Sequence, residues 1–305
     1  MSRLWSASEL AAHNFFTPFL VEPVIPRGGV VLFHGKRNIG KSQFALTLAA
    51  CLAEEGVLFG RYPTHPTGPV VYVQADMTAA VQQHRVRCMK KLYQLERLHF
   101  FFPPYFNIAV LREEDEVVEQ IRALDPSLIV WDTLRKIHRQ DSNSDETPSF
   151  VYGKAQELFP DVTHTFVHHD KKTIADQDKL DPEEFFRGSG AWLDDADTGI
   201  HLSSAGRRRL TLRFTKVRTA PEQPPIPLVF DSDTMLLYTD DDQARRLAEW
   251  YIARHGGKAT MQELEHFLLA SFVGGPRIIR KLARTLVGLP EDGDDDAAPS
   301  LHIVR

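Results

Sequence analysis

Gly29-Val30-Val31-Leu32-Phe33-His34-Gly35-Lys36-Arg37-Asn38-Ile39-Gly40-Lys41-Ser42-Gln43-Phe44-Ala45-Leu46 is the stretch whose pattern decides the fold. It opens on an apolar run that stops at Gly35, as a short buried strand does. Gly35–Ser42 then has the spacing G-x-x-x-x-G-K-[ST]. Across 43–54, Phe44, Ala45, Leu48, Ala49 and Leu52 recur at the spacing of one helical face, and Gly56 ends the run. Strand, glycine loop and helix in that order make a phosphate cradle. The glycines let backbone N–H groups close around phosphate oxygens, and the helix N-terminus adds the positive end of its dipole. Gly35, Asn38, Ile39, Gly40, Lys41, Ser42 and Gln43 are therefore expected to hold ATP. Lys41 reaches the β- and γ-phosphates, and the Ser42 hydroxyl helps to hold Mg²⁺.

Outward from this stretch the alternation of strand and helix continues. Strands are expected at 69–74, 98–102, 127–132 and 163–169, and helices at 79–92, 115–124 and 150–159. This order predicts an α/β fold, a largely parallel sheet covered on both sides. After about residue 198 the pattern changes. Strand-like segments at 200–202, 209–217 and 228–238 are joined by turns and are expected as antiparallel additions to the sheet edge. Thr239-Asp240-Asp241-Asp242 is a polar break, and helical patterns follow it. The chain is thus expected as an α/β domain over 1–240 and a small helical domain over 241–305.

The bulk numbers are compatible with this. The chain has 305 residues, ordinary hydrophobic and charged content and a net charge of −5, which disfavours a protein that coats nucleic acid by bulk charge. Its two cysteines, Cys51 and Cys88, have no CxxC spacing and are expected as reduced thiols in helices. No membrane-spanning run and no secretory pattern is present, which points to the cytoplasm.

A phosphate cradle needs a second carboxylate for its metal. Leu128-Ile129-Val130-Trp131-Asp132 places an acid at the end of a buried strand, where open α/β sheets bind ligands, so Asp132 is the candidate partner of Ser42 for Mg²⁺. Its neighbour is Thr133, so the group that activates water must come from elsewhere. Asp76 follows the strand Val70–Gln74, expected beside the cradle's own strand, and can orient water for in-line attack. Its other reading is a helix N-cap ahead of Ala79.

Four ordered motifs carry a family resemblance over roughly residues 15–220. Ser127–His138 resembles the Walker B segment of RepA-type hexameric replicative helicases, in the RecA-like branch of P-loop ATPases beside DnaB and RadA. Val167-His168-His169-Asp170-Lys171-Lys172 is similar to their paired-histidine motif, and Phe186-Arg187-Gly188-Ser189-Gly190-Ala191 to their Arg-Gly-Ser segment. The resemblance implies a RecA-like ATPase core, a ring of identical subunits, expected as a hexamer, and action on single-stranded DNA in replication of a plasmid, phage or other mobile element. It gives His169 the role of relaying nucleotide state, with zinc as the competing reading of His168 and His169. Arg187 inherits the arginine-finger role, and Lys216-Val217-Arg218 resembles the Lys-x-Arg pair of DnaB-like relatives, which makes Arg218 a second candidate. The family has glutamate where this chain has Asp76, a side chain one methylene longer.

Two segments are candidates for DNA. Loops 139–149 and 170–186 correspond to channel-lining loops of the family. The second carries Lys171 and Lys172, together with six acids (170, 176, 178, 181, 183, 184) that oppose phosphate. Near the C-terminus, helices are expected at 243–254, 261–268 and 276–286. In the third, Arg277, Arg280, Lys281 and Arg284 lie opposite the apolar Ile278, Ile279, Leu282 and Leu286. A basic third helix suits a winged-helix module on DNA or a docking surface for a protein partner. The acidic 291–296 stretch would repel phosphate, and 301–304 is expected as a closing strand. Beside a replicative helicase, the sequence therefore admits a loader, recombination or repair ATPase, and a nucleotide-switched regulator with a protein partner.

Overall fold

The computed structural model describes residues 4–13, 18–103, 106–170 and 190–287. After helix α1 (Ala7–Ala12), strands β1 (Phe19–Val21) and β2 (Ile25–Pro26) form a small hairpin ahead of β3 (Val30–Gly35), α2 (Lys41–Ala53) and a second hairpin, β4 (Val57–Leu58) with β5 (Tyr62–Pro63). Next come β6 (Val70–Gln74), α3 (Ala79–Met89), β7 (Leu98–Phe101), α4 (Glu116–Ala123), β8 (Leu128–Asp132), α5 (Leu134–Ile137), α6 (Glu146–Leu158) and β9 (Thr163–Val167). The short α7 (Ala191–Asp194) leads into β10 (Thr198–Ser204), β11 (Arg209–Val217), β12 (Ile226–Phe230) and β13 (Leu237–Thr239). Three helices end the described chain: α8 (Asp241–Arg254), α9 (Met261–Ala270) and α10 (Pro276–Val287).

Nine strands form one sheet in the order β13-β12-β11-β10-β3-β9-β8-β6-β7. From β10 to β7 all neighbours are parallel, whereas β11, β12 and β13 add on antiparallel. Three expectations change here. β10 is parallel to β3 and belongs to the main sheet, so the antiparallel edge begins one strand later than expected. The run 228–238 is not one strand, because it breaks after Phe230 and returns as β13 against β12. β6 is not beside β3 either, since β9 and β8 lie between them.

The strands β3, β6 and β8 read as largely apolar runs because both faces are buried. Side chains alternate between the two faces. Val31 and Phe33 of β3, Tyr72 of β6 and Val130 of β8 enter one core cluster, while Leu32, Val73 and Trp131 enter the other. Helix α2 lies in the first cluster, and 11 of its residues are buried, so the single-face expectation fails for a physical reason. Its outer side is covered as well. Thr47 Oγ1 accepts from the Leu237 N–H at 2.9 Å, and a Cβ on Gly56 would meet the Ala270 carbonyl oxygen at 2.7 Å. A helix covered on all sides can be apolar all round.

The three C-terminal helices supply that cover. Leu264, Leu268, Leu269, Phe272, Ile279 and Leu282 belong to the same cluster as Leu48 and Leu52 of α2. The hydrophobic core therefore runs from the glycine-loop helix into α9 and α10. The expected wing and closing strand fall within residues 288–305, outside the described residues. A consequence is testable: Leu268→Ala is expected to destabilise the body that carries α2 by about 2–5 kcal/mol, the usual cost of a buried leucine cavity. Chemical denaturation monitored by tryptophan fluorescence would read this as one shifted transition. No helix among the described residues is long and apolar enough to cross a membrane, and both cysteines are free and buried.

Candidate functional site

The glycine loop leaves β3 at the C-terminal edge of the sheet and enters α2 at Gly40. Gly35 has φ +155°, and a Cβ there would meet the Leu202 carbonyl oxygen at 2.6 Å, so β10 and the loop can approach only because this residue has no side chain. Gly40 is the N-cap of α2 with φ +103°. Lys41 is buried and its ammonium donates to the carbonyl oxygens of Gly35 at 2.7 Å and Lys36 at 2.6 Å. Burial lowers its pKa to about 8, partly offset by the charges of Asp170 and Asp132, so the group remains mostly cationic near neutral pH.

Asp132 ends β8 and is fully enclosed. One carboxylate oxygen accepts from Tyr72 Oη at 2.8 Å and from Gln74 Nε2 at 3.3 Å, both on the neighbouring β6, where Gln74 is in register with Asp132. The Ser42 hydroxyl lies near enough to act on this carboxylate. Burial pushes the carboxyl pKa up, and Tyr72, Ser42 and Gln74 pull against that. A hydroxyl beside an oriented carboxylate, next to the cradle lysine, is a donor set that suits Mg²⁺, which takes one or two carboxylates and substrate phosphates. Tyr72 and Gln74 escaped the sequence reading. A tyrosine in an otherwise aliphatic strand, two residues from a glutamine on the same face, is the signal that was available. Removing only the Tyr72 hydroxyl, in Tyr72→Phe, is expected to raise the Mg²⁺ concentration for half-maximal activity by about 2- to 10-fold, the worth of one net hydrogen bond. A Mg²⁺ titration at fixed ATP reads it.

A cleft of about 730 Å³ opens above these groups. It is lined by the loop 36–43 and by Asp76, Met77, Arg85 and His169 on one side, and by Arg208, Arg209, Leu210, Phe230 and Leu237 on the other. Cations around the loop suit a polyphosphate, and Leu210, Phe230 and Leu237 form an apolar wall for a flat base. Arg85, Arg208, Arg209 and this wall were not anticipated, because they come from α3, from the turn before β11 and from strands expected only as edge additions.

The remaining candidates divide. Asp76 lies at the cleft, its carboxylate 4.0 Å from Lys136 Nζ, and both are half exposed. The helix-cap reading of Asp76 is not the one adopted, because Thr78 occupies the N-cap position of α3. Asp76 reaches the cleft although β6 is distant from β3, because Asp132 and Gln74 align the ends of β8 and β6. His169 lines the cleft, whereas the His168 ring stacks on Trp192 with centroids 5.9 Å apart. The two rings therefore have different surroundings, and among the described residues neither belongs to a group of three metal-type ligands.

Arg218 donates to the Asp194 carbonyl oxygen at 3.0 Å and pairs with Asp197, and Lys216 donates to the carbonyls of Leu193 and Asp194. Both cations thus cap the end of α7 and do not line their own cleft. Arg187, Lys171 and Lys172 lie outside the described residues. On α10, Arg277 pairs with Asp233 at 3.0 Å, while Arg280 and Arg284 share the field of the buried Glu265. Lys281 is exposed.

A family profile described as "AAA domain" matches residues 9–175, which contain the loop, Asp76, Asp132 and His169. The chain belongs to this AAA domain family. Its RecA-like fold is shared by the ATPase domain of G40P (TM-score 0.54, 15% identity, 70% of this chain and 85% of that one). A DnaB-like replicative helicase, described with its interactions with primase, matches with TM-score 0.53 and 16% identity. That match covers 69% of this chain and 57% of the helicase, so this chain spans little more than half of that relative's length. Within the AAA family, the P-loop ATPase core of this chain is thus joined to a C-terminal helical trio through one hydrophobic core.

Proposed function

We propose that this chain hydrolyses Mg-ATP in the cleft between the glycine loop and β12, as a RecA-like replication ATPase that works on single-stranded DNA as a ring of identical subunits. The observation that carries the ATPase part is convergence. Lys41, Ser42 and Asp76 line one cleft, and the buried Asp132 at the end of β8 is held beside them by Tyr72 and Gln74.

In this reading the amides of 36–42 and the Lys41 ammonium bind the β- and γ-phosphates, while Ser42 and Asp132 hold Mg²⁺. A Mg²⁺ held by these two residues would supply positive charge against the charge that develops on the transferring phosphate. Asp76 accepts a proton from water as the water oxygen attacks the γ-phosphorus in line. The bond from that phosphorus to the β,γ-bridging oxygen breaks, and ADP leaves with the electron pair. His169 contacts the γ-phosphate side of the cleft and passes its presence to the segment that contains Lys171 and Lys172. Arg187, or Arg218 once released from α7, reaches the nucleotide of the neighbouring subunit. The compartment consistent with this work is the cytoplasm.

The DNA part rests on resemblance and on Lys171 and Lys172. The basic face of α10 supports it less, because Arg277 is ion-paired and Arg280 and Arg284 share the field of Glu265. That same pairing favours a second reading, a nucleotide-switched ATPase whose C-terminal helices meet a protein partner. Steady-state phosphate release with and without single-stranded DNA separates the two. Stimulation by DNA, followed by displacement of a paired strand, is expected for a helicase. Stimulation without displacement would indicate a loader or repair ATPase, and no response to any nucleic acid would leave the protein-partner reading.

A further inference from the structure

His34, Asp170 and His201 meet in the interior directly behind the glycine loop, and the ATP reaction assigns them no role. They come from three places: the last turn-in of β3, the segment after β9, and the middle of β10. His34 and His201 are register partners on adjacent parallel strands, so their rings face the same side of the sheet, with centroids 4.8 Å apart. Asp170 is positioned by its own backbone, whose N–H donates to the Gly35 carbonyl at 3.1 Å. All three side chains are buried, and their ligand-type atoms lie within 4.8 Å of one another.

The three side chains lie close enough together to share one ion. Asp170 Oδ1 is 3.1 Å from His34 Nδ1, and Oδ2 is 3.5 Å from His201 Nε2. Ligands about 2.0–2.1 Å from a tetrahedral ion are separated by about 3.3 Å, and the carboxylate approaches each ring at close to that distance through a different oxygen. As a hydrogen bond the second contact is long. The far nitrogen of His34 lies 3.3 Å from Thr215 Oγ1, the kind of outer partner that fixes the ring of a metal-bound histidine.

We propose that His34, Asp170 and His201 bind one first-row divalent transition-metal ion of the zinc class, tying the glycine-loop strand to β10 and to the start of the 170–186 segment. Two imidazoles and one carboxylate suit zinc or its analogues and not Mg²⁺, which takes oxygen ligands, so this site and the Ser42–Asp132 site select different ions. In the sequence, zinc is only the competing reading of His168 and His169, whereas His34 and Asp170 lie 136 positions apart and the trio has no motif spacing.

The test uses the full chain, freed of metal with a chelator, without nucleotide and with saturating Mg²⁺. Titration with Co²⁺, read by its ligand-field absorption and by elemental analysis, is expected to show one equivalent bound in an environment of low coordination number. His201→Gln is expected to weaken binding by at least about 10-fold, and Thr215→Val, which leaves all three ligands in place, by about 10-fold. Circular dichroism establishes that each variant is folded; if His201→Gln is not, Thr215→Val decides. Absence of stoichiometric uptake by the wild type, or unchanged binding in a folded variant, overturns the proposal and leaves the trio as a hydrogen-bonded network. The readout is the metal itself, so the result stands apart from whether ATP is turned over.

Discussion

Lys41→Ala is expected to lower ATP turnover by about 100- to 1000-fold, the usual loss when one preorganised charge is removed from a phosphoryl-transfer site. The effect is expected to be large because Lys41 is the buried cation of the loop, and its ammonium already lies among the loop's own carbonyls at Gly35 and Lys36. Those carbonyls belong to the segment that must wrap the phosphates, so the lysine moves only a short way to reach them. Arg37, Arg85 and Arg208 line the same cleft and retain some attraction for nucleotide. Binding of ATP is therefore expected to weaken less than turnover falls. Equilibrium binding of a fluorescent ATP analogue beside single-turnover hydrolysis separates the two. Loss of binding in proportion to turnover would mean that Lys41 acts mainly on the ground state.

Asp76→Asn is expected to lower turnover by about 100- to 10,000-fold, the range for removal of a positioned general base. The substitution keeps size and hydrogen-bonding reach, so it removes basicity with little change in shape. Asp76 is half exposed and its contact with Lys136 is 4.0 Å, a screened pair that contributes little to stability. The thermal midpoint should accordingly move little while the rate collapses. Nucleotide affinity should also persist, because Ser42 and Asp132 are untouched. An Asp76→Asn protein that hydrolyses ATP at the wild-type rate would move the base elsewhere in the cleft. Asp76→Glu, which restores the longer carboxylate of the resembling family, offers a graded control.

The local parts of this site were legible in the chain because each is a short-range pattern. Gly35–Ser42 sits between an apolar strand and an apolar helix, and Asp132 closes a run of four buried residues. The helices of the C-terminal portion were equally plain, since apolar and basic positions alternate at helical spacing in 276–287. What stayed hidden depends on which strands become neighbours. Tyr72 and Asp132 are 60 positions apart, and only the β6–β8 pairing brings them together. The break at Phe230 was obscured because Met235, Leu236, Leu237 and Tyr238 continue the apolar character of β12. The all-round burial of α2 was unreadable from its own residues, as its outer cover comes from α9 and α10. Charge on α10 was visible, but the acids that meet it, Asp233 and Glu265, belong to other elements.

Phosphate release from ATP by the purified full chain, measured across protein concentration with Mg²⁺ and with EDTA, tests the ATPase account most directly. The expected result is Mg²⁺-dependent turnover that falls about 100- to 1000-fold with Lys41→Ala and loses specific activity on dilution, as the proposed site shared with a neighbouring subunit requires. No turnover at any concentration, or turnover that Lys41→Ala leaves unchanged, would contradict the assignment of ATP chemistry to this loop. Constant specific activity on dilution would contradict the shared site.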